Sequence, residues 1–500
     1  MLKALSGGTF SRDFTASIVV FLVAMPLCMG IAVASGVPPE KGLITGIIGG
    51  LVVGALAGSP LQVSGPAAGL AVIVFEIVRD QGLSALGPIL IIAGAIQVIA
   101  GIVRVGGWFR AISPAVVHGM LAGIGVLIVV GQFHVLFDHQ PLPSGLANLI
   151  AMPGKLLGLG DQDMATAFAV GMVTIGAMLG WEKFRPASLK LVPGALVGVL
   201  AATIIAFVLG LSVARVAVPE SIVAAIVPPA GDWVAQLIDP KVLTTALAIA
   251  FIASAETLLS AAAVDRMHDG VRTDYNKELR AQGVGNLLCG FAGALPMTGV
   301  IVRSSANVQA GAVTRLSAIL HGAWILGFVA LLPWLLREIP MAALAGILVV
   351  TGVRLVSLAH VKHLFRHYGP LPAVVWAATL IMVVATDLLT GVLVGLALSL
   401  VELAANGRKI GLKFDEATRD ETHELALDGS ATFLMLPKLS AKLEAAPARP
   451  TMILNMDKLR HIDHTTAEML REWIDRRRGS GTTVELAGGN DKVRRLVTAH

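Results

Sequence analysis

The chain has 500 residues, 55% of them hydrophobic and only 14% charged, with a mean hydropathy of +0.78. Soluble domains carry charge on about a quarter of their residues, so the composition excludes a water-soluble globule and describes a membrane protein. The net charge of +5 belongs to the first 412 residues (24 Lys/Arg against 19 Asp/Glu), whereas 14 of each balance from Lys413 onward, so this basicity reflects membrane orientation and is poor evidence for nucleic acid, which is not an expected partner.

Met1 to Arg12 is basic and runs into an apolar stretch, 16–37, that has no cleavage signal and reads as a retained first span. A span needs roughly 20 apolar residues, and fourteen candidates follow. The first seven lie at roughly 14–35, 42–58, 66–79, 86–103, 113–132, 163–181 and 191–210. The second seven lie at roughly 241–262, 279–295, 299–311, 314–335, 340–356, 371–387 and 389–405. An even count puts both termini on one side. If that side is the cytoplasm, inner segments hold 17 Lys/Arg and outer ones six, a strong positive-inside bias. The expected location is therefore the inner (plasma) membrane, with both termini cytoplasmic. Cys28 and Cys289 lie in apolar stretches without metal-ligand or redox spacing and read as packing residues.

Two candidates are abnormal. The third opens at Ser64-Gly65-Pro66 and the tenth at Pro296-Met297-Thr298-Gly299, and each leaves only about a dozen apolar residues, half a bilayer. Both are third in their group of seven, and the halves (approximately 14–210 and 241–405) correspond at a shift of roughly 230 residues, the pattern of inverted repeats in a secondary transporter. Ordinary Pro/Gly-kinked helices are the alternative.

From about Thr422 strands alternate with helices. Glu424 to Asp428, Thr451 to Met456 and Thr483 to Leu486 read as strands, Thr466 to Arg478 and Asp491 to Thr498 as helices. The expected division is a membrane domain, 1–412, and a small α/β domain, 413–500. With no phosphate loop or nucleophile set, the second reads as regulatory or scaffolding, and no segment of the chain reads as an enzyme.

A helix broken at membrane depth exposes backbone donors and is tolerated where they face a ligand, a cavity or protein. Helix N-termini attract anions. The expected anion site therefore uses the amides of Ala67, Ala68 and Gly69 facing those of Gly299, Val300 and Ile301, with the Thr298 hydroxyl as a further donor. Arg303 lies one turn into the tenth span, where an unpaired cation costs at least about 2.5–3.5 kcal/mol. It should face an anion, or pair with Glu256. Glu256 is the only carboxylate in 244–264, with Ser260 four residues on along the same helical face, which makes it a candidate proton carrier or cation ligand. Glu182, Glu76 and Asp387 fall near span ends and read as interfacial, and none of the twelve histidines receives a role.

These residues resemble the sulfate permease (SulP) family of anion transporters. The resemblance rests on Ala24-Met25-Pro26-Leu27, Leu61 to Pro66, the stretch Asp274 to Asn286 with Glu278-Leu279 and Gln282 to Asn286, the span ending Asn307 to Gly311 followed by Thr314-Arg315, and a STAS-like tail. It implies a fourteen-span, seven-plus-seven fold with core and gate domains, usually a homodimer, moving a small anion by an elevator-like displacement. It also implies that Ala67 lines the anion site, that Arg303 supplies its positive field and that Glu256 takes part in cation coupling. Leu27 stands where many sulfate-transporting relatives have glutamine. Glu256 stands where sodium-bicarbonate symporters have aspartate. His464 stands where single-domain STAS relatives carry a phosphorylated serine, which leaves Thr465 and Thr466 as hydroxyls there.

The expected function is secondary active transport of a small oxyanion or carboxylate (sulfate, bicarbonate or dicarboxylate) by proton-coupled symport, with no cofactor or metal. Sodium-coupled bicarbonate symport and an uncoupled channel or exchanger, including a motor-like protein, are the alternatives on the same fold. A nucleobase transporter on a similar fold would need acidic residues placed against a neutral ring, whereas Arg303 favours an anion.

Overall fold

The computed structural model describes residues 7–498 except 110–112, 143, 158–159, 218–220, 230, 232, 266, 269, 357–360, 363–364, 367–369, 407–410, 420, 448, 480 and 490. Helices occupy all fourteen expected positions. In the first half these are α1 (Gly7–Ala34), α2 (Pro39–Ile48, continued through a π turn at Gly49–Val53), α3 (Ala71–Gln81), α4 (Leu86–Ile102), α5 (Pro114–Val135), α7 (Gln162–Phe184) and α8 (Gly194–Val208). In the second half they are α9 (Pro240–Asp265), α10 (Tyr275–Ala292), α11 (Ile301–Gln309), α12 (Leu316–Leu331), α13 (Met341–Leu355), α14 (Pro370–Ala385) and α15 (Leu388–Asn406). Among the described residues six helices are long and apolar enough to cross a membrane, and five shorter ones are apolar.

Among the described residues of the membrane part, one helix longer than a single turn was not expected. Helix α6 (Gly145–Leu157) contains Pro153 and leaves Leu146, Leu149, Ile150, Leu156 and Leu157 exposed. Its proline and its single apolar face hide it from a search for continuous apolar runs.

The two interrupted spans meet as strands. β1 (Ser64–Pro66) pairs antiparallel with β2 (Met297–Gly299), in the register Ser64↔Gly299, Gly65↔Thr298 and Pro66↔Met297. Helix α10 supports this crossing through a seam with α4, where backbones touch. A Cβ on Gly94 would lie 2.6 Å from the Gly283 carbonyl oxygen, and one on Gly283 would lie 2.7 Å from that of Gly94. Such close approach of small residues lets helices associate where lipid supplies no hydrophobic drive.

By its internal contacts the chain divides into two units: 1–106 with 124–356 and 384–388, and 107–123 with 357–383 and 389–500. In the first, a core built from α1, α7, α8, α12 and α13 includes Leu27, Met29, Val170, Val199, Ile325 and Leu344. The ends of α1 and α11 are tied, since Asp13 accepts the amides of Val313 (2.7 Å) and Thr314 (3.0 Å) and Arg12 Nε donates to the Gly311 carbonyl at 3.1 Å.

The second unit contains a four-stranded sheet in the order β3 (Gly411–Arg419), β4 (Thr422–Ala431), β5 (Thr451–Ile462) and β6 (Thr483–Ala487), antiparallel between β3 and β4 and parallel beyond. Helices α16 (Leu436–Ala445), α17 (His464–Gly479) and α18 (Asp491–Thr498) accompany it, over a core including Leu425, Leu454, Leu470 and Trp473. Two of these elements escape a sequence reading. β3 carries Lys413, Asp415 and Glu416 as a charged edge strand, and α16 is ten residues long with Pro437 in its first turn. The strand opens at Gly411, ahead of the expected boundary at 412/413, and part of the linker from Gly407 lies outside the described residues. The side chains of His464 and Thr465 also lie outside them, whereas Thr466 is fully buried.

Asp463 caps α17: its carboxylate accepts the Thr466 amide at 2.8 Å and the Phe433 amide. Burial pushes this carboxyl above the usual carboxylate range, outweighing those hydrogen bonds. The folded state therefore holds the proton more tightly than the unfolded chain. The stabilisation is complete below the unfolded value, about 4, and is lost as pH rises through the folded one. Hydrogen exchange of the sheet, corrected for intrinsic rates, should show protection falling as pH rises above about 4, and Asp463→Asn should flatten that dependence. Equal slopes in both proteins would contradict this.

Candidate functional site

Successive residues of a strand face opposite sides, so the β1–β2 crossing has two chemically different faces. On the α10 face, Glu278, Gln282 and Asn286 stand four residues apart in a fully buried column. Glu278 accepts the amides of Gly58 (2.8 Å) and Ser59 (2.9 Å), and Gln282 Nε2 donates to Ser64 Oγ at 2.6 Å. Asn286 accepts the Met297 amide at 2.8 Å and donates to the Met297 carbonyl at 3.2 Å and to Gln97 Oε1 at 2.7 Å. One helix thus grips both strands. Gln62 Nε2 donates to the Thr257 carbonyl at 2.9 Å, which attaches the chain leading into β1 to α9.

The other face holds Val63 against Val20 and Ala318, and then Gly65 with Arg303. A Cβ on Gly65 would lie 1.9 Å from an Arg303 guanidinium nitrogen, so this position admits only glycine while the arginine occupies its place. Arg303 is fully buried, and none of its three side-chain nitrogens has a hydrogen-bond partner. The Cys28 thiol and the His321 ring lie in its surroundings. The Thr298 hydroxyl, on the strand residue opposite Gly65, is also buried and unpartnered. His321 Nδ1–H donates to the Ala318 carbonyl at 2.5 Å, and its Nε2 has no partner. This histidine received no role from the sequence. The available signal was its isolated polarity in the middle of an apolar span.

Glu256 does not pair with Arg303. Its carboxylate lies against Gly69, where a Cβ would be 2.7 Å from Oε2. Ser260, one turn along α9, is buried. The six backbone amides expected to stand free are largely engaged, which corrects that part of the expectation. The Ala67 amide donates to the Pro296 carbonyl (3.2 Å), Val300 to the Val63 carbonyl (2.9 Å) and Gly299 to Thr257 Oγ1 (3.1 Å), while Gly69 faces Glu256. The reason is the crossing itself, since pairing and flanking contacts consume donors that isolated helix ends would leave open. Ala68 and Ile301 remain at the starts of their helical segments, and α11 begins without a side-chain cap.

Ile301 and Val302 form part of the wall of a cavity of about 510 Å³. Val19, Val23 and Leu27 line it from α1, and Val302 and Ala306 from α11 with Ala310 just past its end, each set spaced by four residues. It therefore runs about two helical turns, or about 12 Å. Because Arg12 is bonded to Gly311, α1 and α11 run antiparallel, and Leu27 lies towards the Ile301 end. Exposed Lys190 and half-exposed Arg354 mark the mouth, with Arg185 and Glu182. The sequence placed Glu182 at an interface and gave the three cations no role beyond orientation. Arg303 follows Val302 directly but is buried behind this wall, so its charge reaches the cavity through space.

Residues 10–379 match the model of the sulfate permease family. The chain is 30% identical to "Putative sulfate transporter YvdB" of Bacillus subtilis over 98% of its own length and 93% of that protein. It is 26% identical to the bicarbonate transporter BicA of Picosynechococcus over 77% of this chain and 68% of that one. Among solved structures, the transmembrane domain of a cyanobacterial BicA superposes with a TM-score of 0.68 at 24% identity, covering 77% of this chain and 97% of that one. SLC26A9 superposes with a TM-score of 0.70 at 16% identity, covering 98% of this chain and 86% of that one. The chain therefore belongs to the sulfate permease family of integral membrane anion transporters and is not an enzyme.

Proposed function

We propose that the chain is a secondary active transporter that moves a small oxyanion or carboxylate (sulfate, bicarbonate or a dicarboxylate) by proton-coupled symport, through an elevator-like displacement in a homodimer whose termini face the cytoplasm. The observation that carries the reading is Arg303: a fully buried cation with no carboxylate partner among the described residues, only the Cys28 thiol and the His321 ring near it, one residue from the cavity wall. An anion beside Val302 and the first turn of α11 would supply the missing negative charge. Ala67, Ala68, Gly69, Thr298, Gly299, Val300 and Ile301 shape the surroundings, Glu256 with Ser260 serves coupling, and the sheet domain regulates or assembles the transporter. Sodium-coupled bicarbonate symport is the second reading, and the similarity to the bicarbonate transporter BicA supports its substrate.

Arg303→Ala should weaken binding of labelled sulfate or bicarbonate at least tenfold, about 1.4 kcal/mol, in protein that remains monodisperse, with Arg303→Lys intermediate. Undiminished affinity in folded Arg303→Ala protein would leave this residue a structural role only.

Protonating Glu256 would remove a negative charge near an incoming anion, so proton and anion binding should reinforce each other. Uptake into proteoliposomes should rise as pH falls on the loading side and should persist without sodium. Glu256→Gln, a mimic of the protonated form, should exchange anion yet lose proton-driven accumulation. Uptake that requires sodium and ignores an imposed pH gradient would make Glu256 a sodium ligand and favour the second reading.

A further inference from the structure

The cavity mouth contains a carboxylate where an anion pathway would be expected to hold only cations. Arg185, Lys190 and Arg354 line it together with Glu182, the only acidic residue among the described residues of its wall. Glu182, at the end of α7, is ion-paired to Arg354, at the end of α13, and both side chains are partly exposed, at 31% and 49%. The carboxylate is held beside the arginine yet partly open to solvent. It packs on Gly194 at the start of α8, where a Cβ would lie 2.8 Å from Glu182 Cγ and 2.9 Å from its Oε1. Arg185 is held in turn, donating to the Lys190 carbonyl at 2.9 Å. Three cations thus converge on the mouth, and one is neutralised by a carboxylate built into the wall.

We propose that Arg354 is the first residue an oxyanion contacts in this cavity and that Glu182 is its tethered competitor, holding the guanidinium until the anion displaces it. The inference rests on the anion-transport reading and adds to it a site at which ion capture is tuned. A guanidinium binds carboxylate, sulfate and hydrogencarbonate through the same paired N–H donors, so the exchange of one oxyanion for another needs no rearrangement of the arginine. The competitor weakens capture but keeps the arginine positioned while the cavity is empty. Charges at a partly exposed mouth act chiefly on encounter and are screened by salt, which gives the proposal its signature.

The test is counterflow of labelled sulfate and, separately, of labelled bicarbonate in proteoliposomes of the full chain, at ionic strengths of about 0.01 M and about 1 M, where the screening length is about 30 Å and about 3 Å. Glu182→Gln should lower KM about three- to tenfold at low salt with kcat little changed, and Arg354→Gln should raise it by a similar factor. Both differences should shrink at high salt, and the double variant should fall between the single ones. A merely structural pair would instead lower the amount of folded protein or kcat, with KM equal at both salt levels, and that result would overturn the proposal. If the wild type moves neither of these probes nor labelled succinate, the anion-transport reading itself fails, an outcome distinct from variants that transport normally with unchanged KM.

Discussion

The structure depends on one crossing, where three residues of each half of the chain, Ser64–Pro66 and Met297–Gly299, pair as strands between interrupted helices. Backbone at membrane depth must satisfy its own polar groups or face a cavity, and here it does the first almost completely. Pairing and flanking bonds consume the amides of Ala67, Gly299 and Val300, and the column Glu278, Gln282 and Asn286 anchors the segments leading into both strands. Because one helix holds both strands, the first turns of α3 and α11 keep a fixed relation to each other. The α4–α10 seam, with glycine backbones in contact, seats that helix.

Saturating the backbone leaves electrostatics to side chains, and their placement is asymmetric. Arg303 lies on one face of the crossing, enclosed and without an acceptor, whereas Glu256 lies against Gly69 and does not neutralise it. A buried cation without a partner is strongly disfavoured unless something of opposite charge comes near. On the proposed reading Arg303 would give the cavity beside Val302 a standing positive potential, so that affinity would come from long-range field more than from direct contacts. This differs from a site made of converging free amides, which would recognise the shape of an oxyanion. A field site discriminates mainly by charge and size, in keeping with a family whose members carry names as different as sulfate and bicarbonate transporters.

Much of this was legible in the sequence. Fourteen apolar stretches, two short ones opening on Gly-Pro or Pro-containing tetrads, and the change of period after Thr422 place nearly every element, because burial in lipid and half-buried strands impose strong periodic signals. What escaped was weakly periodic: α6 with its internal proline, the charged edge strand β3 and the ten-residue α16. At the site, Arg303 and Glu256 stood out as ionisable residues in apolar runs, and both occupy the crossing. That they lie apart, and that strand pairing consumes the nearby amides, depends on register between segments more than 200 residues apart, which no local pattern encodes. The polar column on α10 was visible as a motif, but its spacing of four gained meaning only once both strands were seen against it.

The central claim is that the buried charge of Arg303 holds an anion at the inner end of the cavity, beside the first turn of α11. Anomalous diffraction from crystals of the full chain grown with selenate tests it most directly, because selenium marks the anion unambiguously. The account predicts a selenium peak in the cavity next to Ile301 and Val302, and its loss in Arg303→Ala crystals of the same form. A cavity without selenium in wild-type crystals, or a peak that persists unchanged in Arg303→Ala, would contradict it.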